Sequence, residues 1–169
     1  DNAESIGATY KGKLLGTLGD ISTYSFFGNK IITTGEGGAI LTNNEKIAIK
    51  CRELRDHGMN HKKKYHHIDL GYNYRMTNMQ AAIGLAQMEK LDEILALRKK
   101  QMDFYYNALS NVNGISLRKY SNWCDPVHWM MTISLDENCS QNDFLSYMNN
   151  KDVDCRQMIH PVHAADHFI

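Results

Sequence analysis

Ser25 to Glu45 reads SFFGNKIITTGEGGAILTNNE. The segment Ile21–Phe27 alternates and is rich in β-branched and aromatic residues, which predicts a strand. It delivers a single lysine, Lys30. Gly35-Glu36-Gly37-Gly38 follows as a turn, then Ala39–Thr42 as a second short strand, with Asn43-Asn44 as an N-cap. Ile47, Cys51 and Leu54 fall at helical spacing, and Gly58 is a natural stop. Strand, turn, strand and helix in this order predict an α/β protein. The residues alone leave three readings of Lys30: a surface charge, a phosphate binder or a nucleophilic amine. The apolar approach carries it to the end of a strand expected to be buried, and desolvation suits an amine that must spend time deprotonated. Ser25 and Asn29 can hydrogen-bond an anion beside it. The glycines follow the lysine instead of preceding it, so this is not the G-x-x-x-x-G-K-[ST] nucleotide loop.

The chain has 169 residues, 43% hydrophobic and 22% charged, the balance of a globular protein. Nineteen basic and nineteen acidic residues cancel, so no basic face points to nucleic acid. Lys62-Lys63-Lys64 reads as a solvated loop. No apolar run approaches the ~18 residues of a membrane span, and no membrane partner is expected. Cys51, Cys124, Cys139 and Cys155 lack C-x-x-C spacing, so they are expected reduced, in a cytoplasmic protein. The absence of a starting methionine suggests a partial chain.

Gly58–Tyr74 is polar and histidine-rich without periodicity, and reads as a loop. Thr77 and Gln80 form a capping-box pattern that opens the longest helical stretch, Thr77–Leu109, on the order of 45 Å. Its first half is apolar nearly all round, as in a buried helix; its second narrows to Leu91, Leu95, Met102, Tyr105 and Leu109. Ile115–Leu117, Trp129–Leu135 and Val153–Ile159 read as strands, and Ser140 caps a short helix. The expected organisation is the end of one α/β unit, residues 1–108, and the beginning of a smaller one, residues 109–169. His57, His61, His66 and His67 share a loop, but no H-E-x-x-H helix or cysteine pair supports a metal, and none is expected. Trp123 and Trp129 read as core or interface residues of the smaller unit.

Asp1 gains meaning beside Lys30. Pyridoxal phosphate requires a lysine for a Schiff base and a carboxylate against its pyridinium nitrogen. The blocks DNAE, YKGK and GTLGDISTYSFFGNKIITTGEGGAILTN, then LGYNYRMTNMQAAIGLAQMEKLDE and DCRQMIHPVH, closely resemble the DegT/StrS family of sugar-nucleotide aminotransferases. The resemblance covers almost the whole chain. It implies fold type I of the pyridoxal-phosphate enzymes, with part of the large α/β/α domain and its long interdomain helix followed by part of the small domain. It implies Lys30 as the Schiff-base lysine and proton shuttle, Asp1 at the ring nitrogen, Glu4 near the ring and Ser25 at the phosphate. Asn73 would reach across a homodimer interface to the partner's cofactor phosphate. His163, and Arg75 if it is not purely structural, would face the sugar. Glutamate would donate the amino group to a nucleotide-linked 4-keto-6-deoxy sugar, GDP-4-keto-6-deoxymannose foremost, with dTDP- or UDP-linked sugars as alternatives. Gln157 and His160 stand where the family often has proline and tyrosine, and Asn2 where alanine or serine is common. Related dehydrating enzymes carry histidine at the lysine position, so Lys30 favours transamination. A non-catalytic regulator on the same fold, or a phosphate-binding domain without the cofactor, are the other readings. Because the family's N-terminal segment adds cofactor contacts, these residues alone are expected not to transaminate.

Overall fold

The computed structural model describes residues 1–168. They divide into two compact units. The first comprises residues 1–105 with 119–131, the second residues 106–118 with those from Thr132 onward.

The first unit is organised around a hairpin. Strands β3 (Ser22–Ser25) and β4 (Gly38–Leu41) pair antiparallel, Ser22 opposite Leu41 and Ser25 opposite Gly38. Beyond Ser25 the chain leaves the ladder. Phe26 donates to the Gly37 carbonyl at 2.9 Å and accepts from Thr34 N at 2.9 Å, closing a loop over residues 27–37. Ile31 and Ile32 turn inward there, 5% and 2% exposed. A second, small sheet has β1 (Thr9–Tyr10) at its centre, between β2 (Lys13–Leu14) and β6 (Cys124–Asp125). That pairing returns residues 119–131 to the first unit.

Helix α1 (Glu45–Arg55) starts where expected. Asn44 Oδ1 accepts from Lys46 N at 3.0 Å and Ile47 N at 3.3 Å, satisfying amides the helix leaves open. The expected capping box opens α2 (Asn78–Met88), with Thr77 and Gln80 bonded in both directions. The single long helix of the sequence reading is two. Lys90 N bonds Gln87 O at 3.1 Å, a tightening to three-residue spacing that ends α2. Helix α3 (Leu91–Leu109) restarts with Asp92 and Glu93 at its positive N-terminus. Nor is α2 buried: Met79 is 78% and Leu85 63% exposed, and only one side is covered, where Gly84 lies against Thr34.

In the second unit β5 (Ile115–Leu117) pairs antiparallel with β7 (Ile133–Leu135), and Ser140 caps α4 (Gln141–Asn149). The strand expected over Trp129–Leu135 is confined to β7, whose partner β5 offers only three residues to pair with. Val153–Ile159 forms no strand; the chain continues irregularly into two single 3₁₀ turns, Val162–Ala164 and Asp166–Phe168.

Candidate active site

Lys30 lies in the loop after β3, its amide bonded to Phe27 O at 3.0 Å. The neighbouring Ile31 and Ile32 anchor the backbone in the core, so the side chain starts from a fixed point. That side chain is only 13% exposed, far from an ordinary surface lysine. Nζ donates to Glu4 Oε1 at 2.8 Å and sits 4.3 Å from the Trp129 ring centroid. Both contacts stabilise the ammonium, one by charge and one by the negative face of the indole. Trp129 also donates its Nε1–H to Asn29 O at 2.7 Å, tying the loop at the residue before Lys30.

The first five residues are docked on β3. Asn2 N donates to Thr23 O at 2.8 Å, and Ser5 Oγ donates to Asn2 Oδ1 at 3.1 Å. Asn2 is 9% exposed, so its amide holds this turn rather than merely replacing a smaller residue. The turn puts Asp1 and Glu4 alongside the strand that ends in Ser25. Asp1 Oδ1 accepts from Ala3 N at 2.9 Å, and its other oxygen has no partner among the described residues. Ser25 Oγ accepts from Phe27 N at 3.3 Å, and its own proton is likewise unclaimed among the described residues. An amine, a free carboxylate oxygen and a free hydroxyl donor on adjoining segments fit the aldehyde, ring nitrogen and phosphate of pyridoxal phosphate. A cavity of about 170 Å³ lies behind the loop, lined by Phe26, Ile32, Thr34, Met76 and Gly84. It is apolar, and none of the expected site residues lines it.

Asn73 and Arg75 belong to a second cluster in the same unit. The loop after α1 folds back on the helix end: Tyr72 N donates to Leu54 O at 2.7 Å, His57 N to Tyr72 O at 2.9 Å and Tyr74 N to Arg55 O at 2.9 Å. Asn73 pairs with Asp56 across this crossing, its side chain exposed. Arg75 Nη1 lies 3.2 Å from the buried Asp56 Oδ1, an ion pair without hydrogen-bond alignment. Nearby, Glu53 is 6% exposed and takes His61 Nδ1 at 3.0 Å. That bond holds the Glu53 carboxyl below its usual range, against the opposing effect of burial. None of the described bonds links Asn73 or Arg75 to Lys30. His163 lies in the second unit, exposed in the first 3₁₀ turn. Sequence reasoning missed the place of Trp129, a contact to Asn29 100 positions away that no local pattern announces.

Known proteins sharpen this picture. The GDP-perosamine synthase of Caulobacter vibrioides is 45% identical over 166 residues, which are 96% of this chain and 45% of that enzyme. The GDP-perosamine synthase of Vibrio cholerae is 39% identical over 97% of this chain and 45% of its own length. The chain thus spans about half the length of the curated relatives it matches. Among solved structures, S. venezuelae DesV superposes with a TM-score of 0.87 at 28% identity, over 99% of this chain and 44% of DesV. The fold is the α/β fold of these aminotransferases, in part. With residues 1–168 matching its family model, the chain belongs to the DegT/DnrJ/EryC1/StrS aminotransferase family.

Proposed function

We propose that this chain carries the reacting lysine of a pyridoxal-phosphate-dependent aminotransferase. The enzyme moves an amino group from glutamate to C4 of GDP-4-keto-6-deoxymannose, giving GDP-perosamine for surface polysaccharide such as O-antigen. The observation that carries the reading is Lys30: a largely enclosed amine with Glu4 Oε1 at 2.8 Å, next to the unclaimed groups of Asp1 and Ser25. The GDP-perosamine synthases among the relatives support the sugar and nucleotide. The reading includes a cytoplasmic homodimer with shared active sites, in which Asn73 serves the partner's cofactor and His163 the sugar.

Bound at this site, the cofactor supplies an aldehyde that takes up amines and a ring that withdraws electrons from the carbon beside the nitrogen. The rest falls to the chain's own residues. Lys30 must lose a proton before its nitrogen can attack, and Glu4 Oε1 is within reach to take it. With the cofactor held, the Lys30 amine would be the group placed to take a proton from the donor's carbon and to return one, and its two fixed contacts would aim it. The free oxygen of Asp1 would face the ring nitrogen and favour its protonated form. Ser25, whose hydroxyl proton is unclaimed, would donate to the phosphate.

Borohydride treatment of the holoenzyme should fix the cofactor to Lys30, located by peptide mass spectrometry. Lys30→Ala should abolish that label, the visible cofactor absorbance and the formation of 2-oxoglutarate from glutamate. Turnover in Lys30→Ala would overturn the assignment. A panel of GDP-, dTDP- and UDP-linked keto sugars tests the substrate.

A further inference from the structure

Burial places the loop of Lys30 but does not aim it, because apolar contact is non-directional. Ile32 is 2% exposed, yet it borders the apolar cavity of about 170 Å³ behind the loop, so packing leaves the backbone room to shift. Direction comes from hydrogen bonds that reach the loop from other elements. On the N-terminal side of Lys30, Trp129 donates Nε1–H to Asn29 O at 2.7 Å. On the C-terminal side, Thr33 N donates to Gln87 Oε1 at 2.9 Å. Gln87 lies 54 positions further along the chain, on α2.

The bond to Thr33 is built into the helix. Gln80, Gly84 and Gln87 recur at four- and three-residue steps, so they share one face of α2. At its middle Gly84 lets the loop come close: a Cβ there would lie 2.8 Å from Thr34 Cγ2. A glutamine on either side of it then reaches loop backbone, Gln87 at Thr33 and Gln80, whose Nε2 donates to Glu36 O at 3.0 Å. Thr33 passes its position on, since its Oγ1 donates to Phe26 O at 2.9 Å and accepts from Gly35 N at 2.8 Å. None of the described bonds links Gln87 to Lys30 itself, so Gln87 acts through the loop.

We propose that Gln87 and Trp129 are positioning residues for Lys30, two pins that bracket it at Thr33 and Asn29 and hold its amine in place for the cofactor. The inference rests on the aminotransferase reading above. Proton transfer by the amine needs near-contact geometry, and a displacement of about 1 Å costs on the order of 100-fold in rate. Binding of the amino donor does not depend on the loop to that degree. Loss of a pin therefore lowers kcat and leaves KM almost unchanged. Trp129 has a second hold, its ring centroid 4.3 Å from Nζ. Gln87 has only the bond to Thr33 N, which makes it the cleaner test.

Gln87→Met removes the acceptor at nearly the same side-chain length, and Gln87→Glu keeps an oxygen at the same reach. Both are compared with the wild-type holoenzyme, with Trp129→Phe and with the double variant Gln87→Met/Trp129→Phe. The measurements are kcat and KM for glutamate, the borohydride label on Lys30, and amide hydrogen exchange over residues 27–37 of the cofactor-free enzyme. Gln87→Met should keep the label, lose roughly tenfold or more in kcat with KM within about twofold, and exchange faster at Thr33. Gln87→Glu should recover most of that kcat. Either lost pin frees the same loop, so the double variant should lose less than the product of the two single losses. An unchanged kcat in Gln87→Met, an equal loss in Gln87→Glu, or losses that multiply would each overturn the proposal. So would an unprotected Thr33 amide in the wild type, which needs no variant to fold. These results leave the aminotransferase reading intact, whereas a wild type that takes no label on Lys30 sinks that reading and the proposal with it.

Discussion

Gly58→Ala tests how tightly the loop after α1 is locked to the helix. Gly58 has φ +66, and a Cβ there would lie 1.9 Å from Asp69 O and 2.6 Å from Asp69 C. The obstruction is backbone, so no rotamer change relieves it. Gly71 makes the same crossing from the other side, where a Cβ would come 1.9 Å from Gly58 N. Placing an alanine in the left-handed region costs ~1–2 kcal/mol. Opening the crossing by about an ångström would also stretch His57 N to Tyr72 O and Ile68 N to Gly58 O, both 2.9 Å. Each such bond contributes ~0.5–1.5 kcal/mol. The reduced freedom of the unfolded chain returns ~0.4–1 kcal/mol. The expected net loss is about 2–4 kcal/mol. Gly12 is the control: its φ is +75, but nothing lies within 4 Å of its Cβ position. Gly12→Ala should therefore show only the conformational part, ~1 kcal/mol. Urea midpoints of the two holoenzyme variants measure the difference. Equal destabilisation would refute the tight crossing.

Trp129→Phe removes the 2.7 Å bond to Asn29 O but keeps a ring under Lys30, whereas Trp129→Leu removes both. The expected losses are ~0.5–1.5 kcal/mol for the first and ~1–3 kcal/mol for the second; equal denaturation midpoints would dismiss the ring contact. Burial, followed by the charge of Lys99, holds His128 below its ordinary 6.5, so the unfolded chain takes up that proton first and stability falls as pH drops through 6.5. Glu53 is held below its ordinary 4.5 by His61, so its contribution is complete above 4.5 and lost as pH falls below it. Melting temperature against pH should fall in these two ranges, and His128→Gln should flatten only the upper one; an unchanged upper fall in that variant would reject the assignment.

What the sequence disclosed was local. The hairpin, the Asn44 and Ser140 caps and the capping box at Thr77 depend on residues within a few positions of one another. So does the place of Lys30 just beyond β3. The misses depend on distance or on context. Trp129 reads as a strand residue until its ring is seen bonded to Asn29. The break at Glu89–Lys90 contains neither glycine nor proline and leaves no signature. The loop after α1 lacks periodicity because its order comes from a backbone crossing, and only Gly58 and Gly71 hint at it. The apolar surface of α2 is exposed at Met79 and Leu85, where the sequence reading expected burial. An apolar composition nearly all round reads as burial, but it carries no information on what a given helix face packs against.

The partners of Lys30 raise a physical question, because each favours the ammonium while the proposed chemistry needs the amine. Their exposure bounds how strongly each holds the side chain. A fully buried carboxylate would be left uncompensated when the lysine loses its charge, at ~3–5 kcal/mol. Glu4 is 49% exposed, so water can take over its solvation as the pair breaks. Half-exposed pairs of this kind contribute ~0–1 kcal/mol. The indole contact adds ~1–2 kcal/mol against the enclosed face. Together these are enough to hold the side chain in one place between turnovers. Glu4→Gln separates the two roles of the carboxylate: it keeps a hydrogen-bond acceptor for Nζ but removes the proton acceptor. The borohydride label on Lys30 should survive in that variant, while cofactor attachment slows. A variant that attaches the cofactor at the wild-type rate across the pH range would show that Glu4 only positions the lysine.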